Sequence, residues 1–228
     1  MRTKLILVLV LMLGFIANAY AQFDLSPAPE AHREAPVAFR LGVAAGANMS
    51  GLKSSSSDVS NYPSSGIRFG FNAGALFNLR FLPRNELSTA AEGLLAIQPE
   101  VRFSMMGGKD NPGIGLSYVT VPLMIQFYPL KNLYVEVGPV AAFNIAHTPN
   151  ITVVNKNEYH LEKLKANDVM LAAGLGYMFR GLGVGVRFNY GLSDIAANMP
   201  WKNWCLQAGV SYSFQLGAKK QAADTFNF

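Results

Sequence analysis

From Leu95 to Ile145 the chain alternates, position by position, between two chemically different sets of side chains. The first run sets Leu95, Ile97, Pro99, Val101 and Phe103 against Ala96, Gln98, Glu100 and Arg102. In the second, Val119, Val121, Leu123, Ile125 and Phe127 alternate with Tyr118, Thr120, Pro122, Met124, Gln126 and Tyr128. The third carries Leu133, Val135, Val137, Pro139, Ala141, Phe143 and Ile145 opposite Tyr134, Glu136, Gly138, Val140, Ala142 and Asn144. A period of two places successive residues on opposite faces of a strand, and about ten residues per run is the length of a strand that crosses a bilayer. Pro99, Pro122 and Pro139 each remove a ladder donor in mid-run, so bulges or skipped bonds are predicted there.

The same period recurs on either side. A first strand is expected from Val37 to Asn48 and a second from Ile67 to Arg80, and the third begins near Ala90 after a short connection through Pro83 and Asn85. Later strands centre on Val169–Phe179, Val184–Tyr190 and Leu206–Phe214, with Arg180-Gly181 as a two-residue hairpin turn. The stretch from His147 to Asn167 reads as a long polar loop. About eight antiparallel strands, with connections alternately long and short, predict an all-β fold: a closed up-and-down transmembrane β-barrel over residues 37–216.

Composition narrows the class. Hydrophobic residues make up 50% of the chain and charged residues 14%, below the roughly 25–35% charge that suits a soluble surface. Beyond the N-terminus no apolar run is long enough for a transmembrane helix. Residues 1–21 have the form of a signal peptide, with Arg2 and Lys4 before the apolar Leu5–Ile16 and a small-x-small site ending at Ala21. Residues 22–36 are then a flexible lead-in and 217–228 a tail. The formal charge of +5 falls to +3 once Arg2 and Lys4 are removed, which gives no case for a nucleic-acid partner. Cys205 is the single cysteine and excludes an intrachain disulfide. His32, His147 and His160 lack metal-ligand spacing, and Ser193-Asp194 has no histidine nearby in sequence. No cofactor, metal or catalytic group is therefore expected.

Alternation alone does not say which face looks outward, because a soluble barrel also alternates, with its apolar face inward. All ten lysines fall outside the strands as drawn, and the polar face is Gly, Asn, Ser, Gln and Tyr with isolated Arg and Glu. Such a face suits a narrow lumen, and the Phe, Val, Leu, Ala and Ile face suits hydrocarbon. Phe81, Phe127, Phe179 and Phe214 at one end, with Phe69, Phe103, Tyr190 and Trp204 at the other, form the expected interfacial girdles.

On the lumen face the charges are Arg40, Arg68, Arg80, Glu100, Arg102, Glu136 and Arg187. Tracing the strands up and down from a periplasmic N-terminus puts Arg40, Glu136 and Arg187 toward the turn end, and Arg68, Glu100 and Arg102 toward the loop end. Charges in a poorly hydrated lumen persist when paired. They can serve as a plugging ion-pair network that fixes register, or as a guide for a solute.

Seven motifs, in order, carry a family resemblance: LGVAAGANM (41–49), QPE (98–100), VPL (121–123), YVEVGP (134–139), GLGY (174–177), RFNYGLSD (187–194) and GVSYSF (209–214). Their order and spacing, from about Leu41 to Phe214, resemble the PorT-like outer-membrane β-barrel family. The resemblance implies a small eight-stranded barrel in the outer membrane of a Gram-negative cell envelope. It also implies outer-membrane lipid around the protein, the barrel assembly machinery during biogenesis, and envelope or secretion-machinery proteins as partners. The function expected is structural or interactive, accessory to protein secretion across the outer membrane. The alternatives are a small-solute pore or transporter and, further off, a lipid-active membrane enzyme. One departure stands out: barrels of this class end on the aromatic of the last strand, whereas here Phe214 is followed by a tail to Phe228.

Overall fold

The computed structural model describes residues 37–56, 64–81, 94–109, 113–130, 132–148, 151–154, 157–160, 165–195 and 200–216. The expected signal peptide 1–21, lead-in 22–36 and tail 217–228 lie outside them. Ten strands follow in order: β1 (Val37–Ser54), β2 (Arg68–Phe81), β3 (Leu95–Gly108), β4 (Ile114–Phe127), β5 (Leu133–Thr148), β6 (Ile151–Val154), β7 (Asn157–His160), β8 (Asn167–Phe179), β9 (Leu182–Gly191) and β10 (Trp201–Leu216). Eight of them close into one antiparallel barrel in the order β1-β10-β9-β8-β5-β4-β3-β2, and β6 and β7 form a separate two-stranded hairpin. The hairpin interrupts what the sequence reads as a plain polar loop. Each of its strands is four residues long, so no long period marks it.

Alternation fixes which side chains face out. Val43 is 64% exposed, Phe69 77% and Phe179 52%, and the same parity holds for Leu123, Ile125, Val137, Leu171, Leu175 and Val210. The opposite parity buries Asn48, Asn72, Asn78, Gln98, Glu100, Thr120, Gln126, Glu136, Arg187, Asn189 and Gln207. An apolar surface that runs around the whole wall has no place in water, and the soluble barrel with its apolar face inward is excluded. No helix among the described residues is long and apolar enough to cross a membrane; this chain crosses with strands.

The three prolines skip bonds without shifting register. Pairing of β2 with β3 lapses between Leu76–Glu100 and Leu79–Ile97, beside Pro99. On β3 and β4 it lapses between Pro99–Leu123 and Arg102–Thr120, beside Pro122. On β4 and β5 it lapses between Pro122–Val140 and Ile125–Val137, beside Pro139. Among the described residues the one register shift falls elsewhere, between Ser117 and Tyr118. Arg180 (φ 50°) and Gly181 (φ 88°) make the expected tight turn; positive φ at both central residues gives the twist that a two-residue hairpin needs.

Two sequence expectations require correction. β3 starts at Leu95 rather than near Ala90, with Leu94 already outside the strand; Pro83–Asn85 and Ala90 lie outside the described residues. Lysine is also not absent from the strands: Lys53 is the last residue but one of β1 and Lys202 the second of β10. Both strands run beyond their apolar stretch because their ends keep pairing with each other past the hydrocarbon zone.

Ala173 is exposed at the middle of β8, between Val137 and Phe188. Ala173→Arg is expected to cost about 2–4 kcal/mol, measured by equilibrium urea unfolding in lipid vesicles. The same change at Leu216, which shares the outward parity of Val210 and Phe214 at the end of β10, should leave stability within about 1 kcal/mol.

Candidate functional site: a buried ion-pair network in the lumen

The interior is layered along the barrel axis. At the loop end, Leu52, Met106, Ile114, Leu116, Ile195 and Trp201 belong to one fully buried apolar cluster. At the turn end, Ala96, Tyr128, Tyr134 and Met178 form a second, with the two tyrosine rings 5.5 Å apart. The polar network lies between them. Barrels of this strand number are filled by side chains, and here the filling is apolar, ionic, then apolar again.

Glu100 of β3 is the hub. Arg187 of β9 donates from Nη1 to Glu100 Oε2 and from Nη2 to Glu100 Oε1, both at 2.8 Å, which is the bidentate fork that guanidinium and carboxylate favour. Arg187 also donates from Nε to Glu136 Oε1 at 2.7 Å. Arg102 Nε donates to Glu100 Oε2 at 2.5 Å and its Nη1 to Asn72 Oδ1 at 3.0 Å. Two carboxylates thus face two guanidinium groups. The remaining lone pairs are met by amides: Gln98 Nε2 donates to Glu100 Oε1 at 2.7 Å and Gln126 Nε2 to Glu136 Oε2 at 3.0 Å.

Around this centre the amide chain continues to the wall. Asn78 Nδ2 donates to the side-chain oxygens of Gln98 and Gln126, and Tyr128 donates its hydroxyl proton to Gln126. Toward the loop end, Asn72 Nδ2 donates to Asn48 Oδ1, and Asn48 Nδ2 donates to Ser104 Oγ and to the Met105 carbonyl. A cavity of about 50 Å³ beside the network is bounded by Asn72, Arg102, Tyr134, Glu136, Arg187 and Gln207, among others. That volume has room for a few water molecules.

Gly174 makes the central pairing possible. It stands between Glu136 and Arg187 in the ladder, opposite each of them. A β-carbon there would lie 3.0 Å from Glu136 Oε1 and 2.7 Å from the Val186 carbonyl oxygen. Only glycine leaves the space across which the two side chains join.

Of the seven charges singled out by sequence, four come together: Glu100, Arg102, Glu136 and Arg187. The expected division, Glu136 and Arg187 at one end and Glu100 and Arg102 at the other, is wrong. Strands of a barrel run obliquely and staggered, so residues at different distances from their strand ends meet at one level. Arg80 lies over the Tyr128 ring, 3.7 Å from its centroid, at the turn end of the network. Arg40 stands outside the carboxylate cluster and donates from Nη1 to Met178 Sδ at 3.1 Å. Arg68 is also outside it, against Gly115 near the loop end. Sequence reasoning passed over the amides Asn72, Asn78, Gln98 and Gln126, although all share the inward parity that marked the charges. It also passed over the apolar plug, whose signal was the inward parity of Met106, Met124, Met170 and Met178.

A profile of the family described as "Outer membrane protein beta-barrel domain" matches residues 20–197. The chain belongs to that family. As a member of the outer membrane protein β-barrel family, it is placed in the outer membrane, and the apolar wall described above faces lipid. No curated protein sequence matches the chain. Solved structures with a similar course include Ail, the attachment invasion locus protein of Yersinia pestis, at 13% identity and a TM-score of 0.42, covering 77% of this chain and 98% of that one. Neisserial surface protein A is similar at 15% identity and a TM-score of 0.42, covering 76% and 97%. The outer membrane protein OprG from Pseudomonas aeruginosa stands at 12% identity and a TM-score of 0.34, covering 80% and 97%.

Because Glu100 serves two arginines, Glu100→Ala leaves Arg102 with no carboxylate and Arg187 with Glu136 alone in a buried interior, and is expected to cost about 3–5 kcal/mol. Glu136→Ala should cost less, since Arg187 keeps its fork to Glu100. Adding Arg187→Met to Glu100→Leu should recover part of the loss. Urea unfolding in vesicles, read as a double-mutant cycle, checks all three.

Proposed function

We propose that this outer-membrane barrel does not conduct, and that it acts as a structural and interaction element of the cell envelope through its loop end. The observation that carries this reading is the filled lumen, in which an ion-pair network lies between two buried apolar layers. The loop end is braced in a way that suits a contact surface. Ser55 donates its backbone N–H to the Pro200 carbonyl at 2.6 Å and its hydroxyl to Asp194 Oδ1 at 2.8 Å, tying the β1–β2 connection to the β9–β10 connection. Lys165 N–H donates to the Ile195 carbonyl, which brings in the segment before β8.

The finer assignment, a PorT-like accessory to secretion of proteins across the outer membrane, is supported by the order and spacing of the motifs between Leu41 and Phe214. In this reading the protein is not an enzyme. Ser193 donates its hydroxyl to Asp168 at 2.5 Å, so this pair is taken up in holding the loop to the barrel wall.

In planar bilayers the purified protein is expected to give no steady, solute-sized current steps; such steps would establish the pore reading instead. Mild-detergent extraction is expected to bring envelope proteins down with the barrel, and disruption of its gene to reduce the set of exported proteins. An unchanged set would remove the secretion role while leaving the closed barrel standing.

A further inference from the structure

β1 and β10, the first and last strands, close the barrel along one seam. Near its loop end Lys53 stands directly opposite Lys202. Neither lysine can turn inward. The rungs on either side, Leu52–Asn203 and Ser54–Trp201, place Leu52, Asn203 and Trp201 at 0% exposure in the lumen. The lysine rung therefore has the outward parity of Val43, Leu206 and Val210. No carboxylate among the described residues pairs with either ammonium group. Asp194, an acid tied to this rim, accepts from the Ser55 hydroxyl. Side chains directly opposite in a ladder have β-carbons about 4.5–5.5 Å apart, and like charges there repel. Two ammonium groups on one rung call for an anion between them.

The wall beneath them indicates which anion. One outward position further down, Trp204 lies against Gly51, where a β-carbon would stand 2.8–2.9 Å from the indole ring. Phe188 stacks on Trp204 at 6.3 Å, and Leu206, Val210 and Phe69 continue the exposed apolar surface toward the midplane. A cation pair directly above an aromatic shelf, itself above an apolar wall, matches a lipid with a phosphate head and acyl tails. We infer that Lys53 and Lys202 form a seat for the phosphate of one anionic lipid, whose chains lie along the β9–β10–β1 wall past Trp204. The inference depends on the barrel's place in the membrane and is independent of whether the lumen conducts.

Trp204 is the natural reporter, since Trp201 is sealed in the lumen. The full-length protein is placed in phosphatidylcholine vesicles that contain a minor fraction of brominated phosphatidylglycerol or, in parallel, of brominated phosphatidylcholine. Half-maximal tryptophan quenching is expected at roughly tenfold less of the anionic lipid. In the Lys53→Gln/Lys202→Gln variant the two half-points should coincide, and in Lys109→Gln, another loop-end lysine, the preference should stay. Equal half-points in the unaltered protein overturn the seat with no variant needed. A preference that survives the double substitution, or that Lys109→Gln removes as fully, also overturns it. If added inorganic phosphate abolishes the preference, the rim binds free anion and the lipid assignment falls. Retention of the folded, heat-modifiable electrophoretic form by each variant separates loss of the seat from loss of the barrel.

Discussion

In hydrocarbon every backbone N–H and C=O must find a protein partner, and only a helix or a sheet without edges provides one for each. Among the described residues no helix is long and apolar enough to cross, so closure of β1 on β10 is the condition on which the remaining architecture depends. Once the sheet is closed, strand parity sends one set of side chains into lipid and the other into a narrow bore. The polar set then has little water to turn to. Each of its members has to be paired, which is why Glu100, Glu136, Arg102 and Arg187 occur with a shell of glutamine and asparagine donors rather than alone.

The apolar layers above and below that shell set its electrostatics. With Trp201 and Leu52 on one side and Tyr128 and Tyr134 on the other, the ion pairs lie in a medium where attraction is strong and an unpaired charge is expensive. A network of this kind adds little net stability compared with a well-packed apolar filling. It does penalise alternatives: a one-residue slip of β3 against β2 would turn Glu100 into lipid and replace it with Pro99 or Val101. The network therefore holds register in strands whose prolines have already removed ladder bonds.

Much of this was legible in the sequence because a strand has a period of two and a membrane barrel gives its two faces opposite chemistry. Fold class, most strand positions, the Arg180-Gly181 turn and the outward set followed from that. The level at which lumen charges meet did not follow, since tilt and stagger belong to the closed sheet and not to any one strand. Neither did the Lys53–Lys202 rung, because a lysine beyond the hydrocarbon zone looks like a loop residue until its partner strand is known. The amides were missed for another reason. Asn72 and Gln98 look like ordinary polar residues, and their importance comes from the carboxylates and guanidinium groups beside them.

The seam has a consequence for how the molecule is made. It pairs sixteen residues of β1 with β10, from Phe39–Leu216 to Ser54–Trp201, and so joins the two ends of the barrel sequence. Until Leu216 is available, β1 keeps a long, flat, apolar edge with open donors and acceptors, the kind of edge that recruits foreign strands. Every other neighbouring pair of strands can form from nearby sequence, but this one waits for a loop of almost the whole barrel to close. Closure is then a late zipping event. If it starts where the chain ends are held together, it must finish against the repulsion of the two lysines on its penultimate rung.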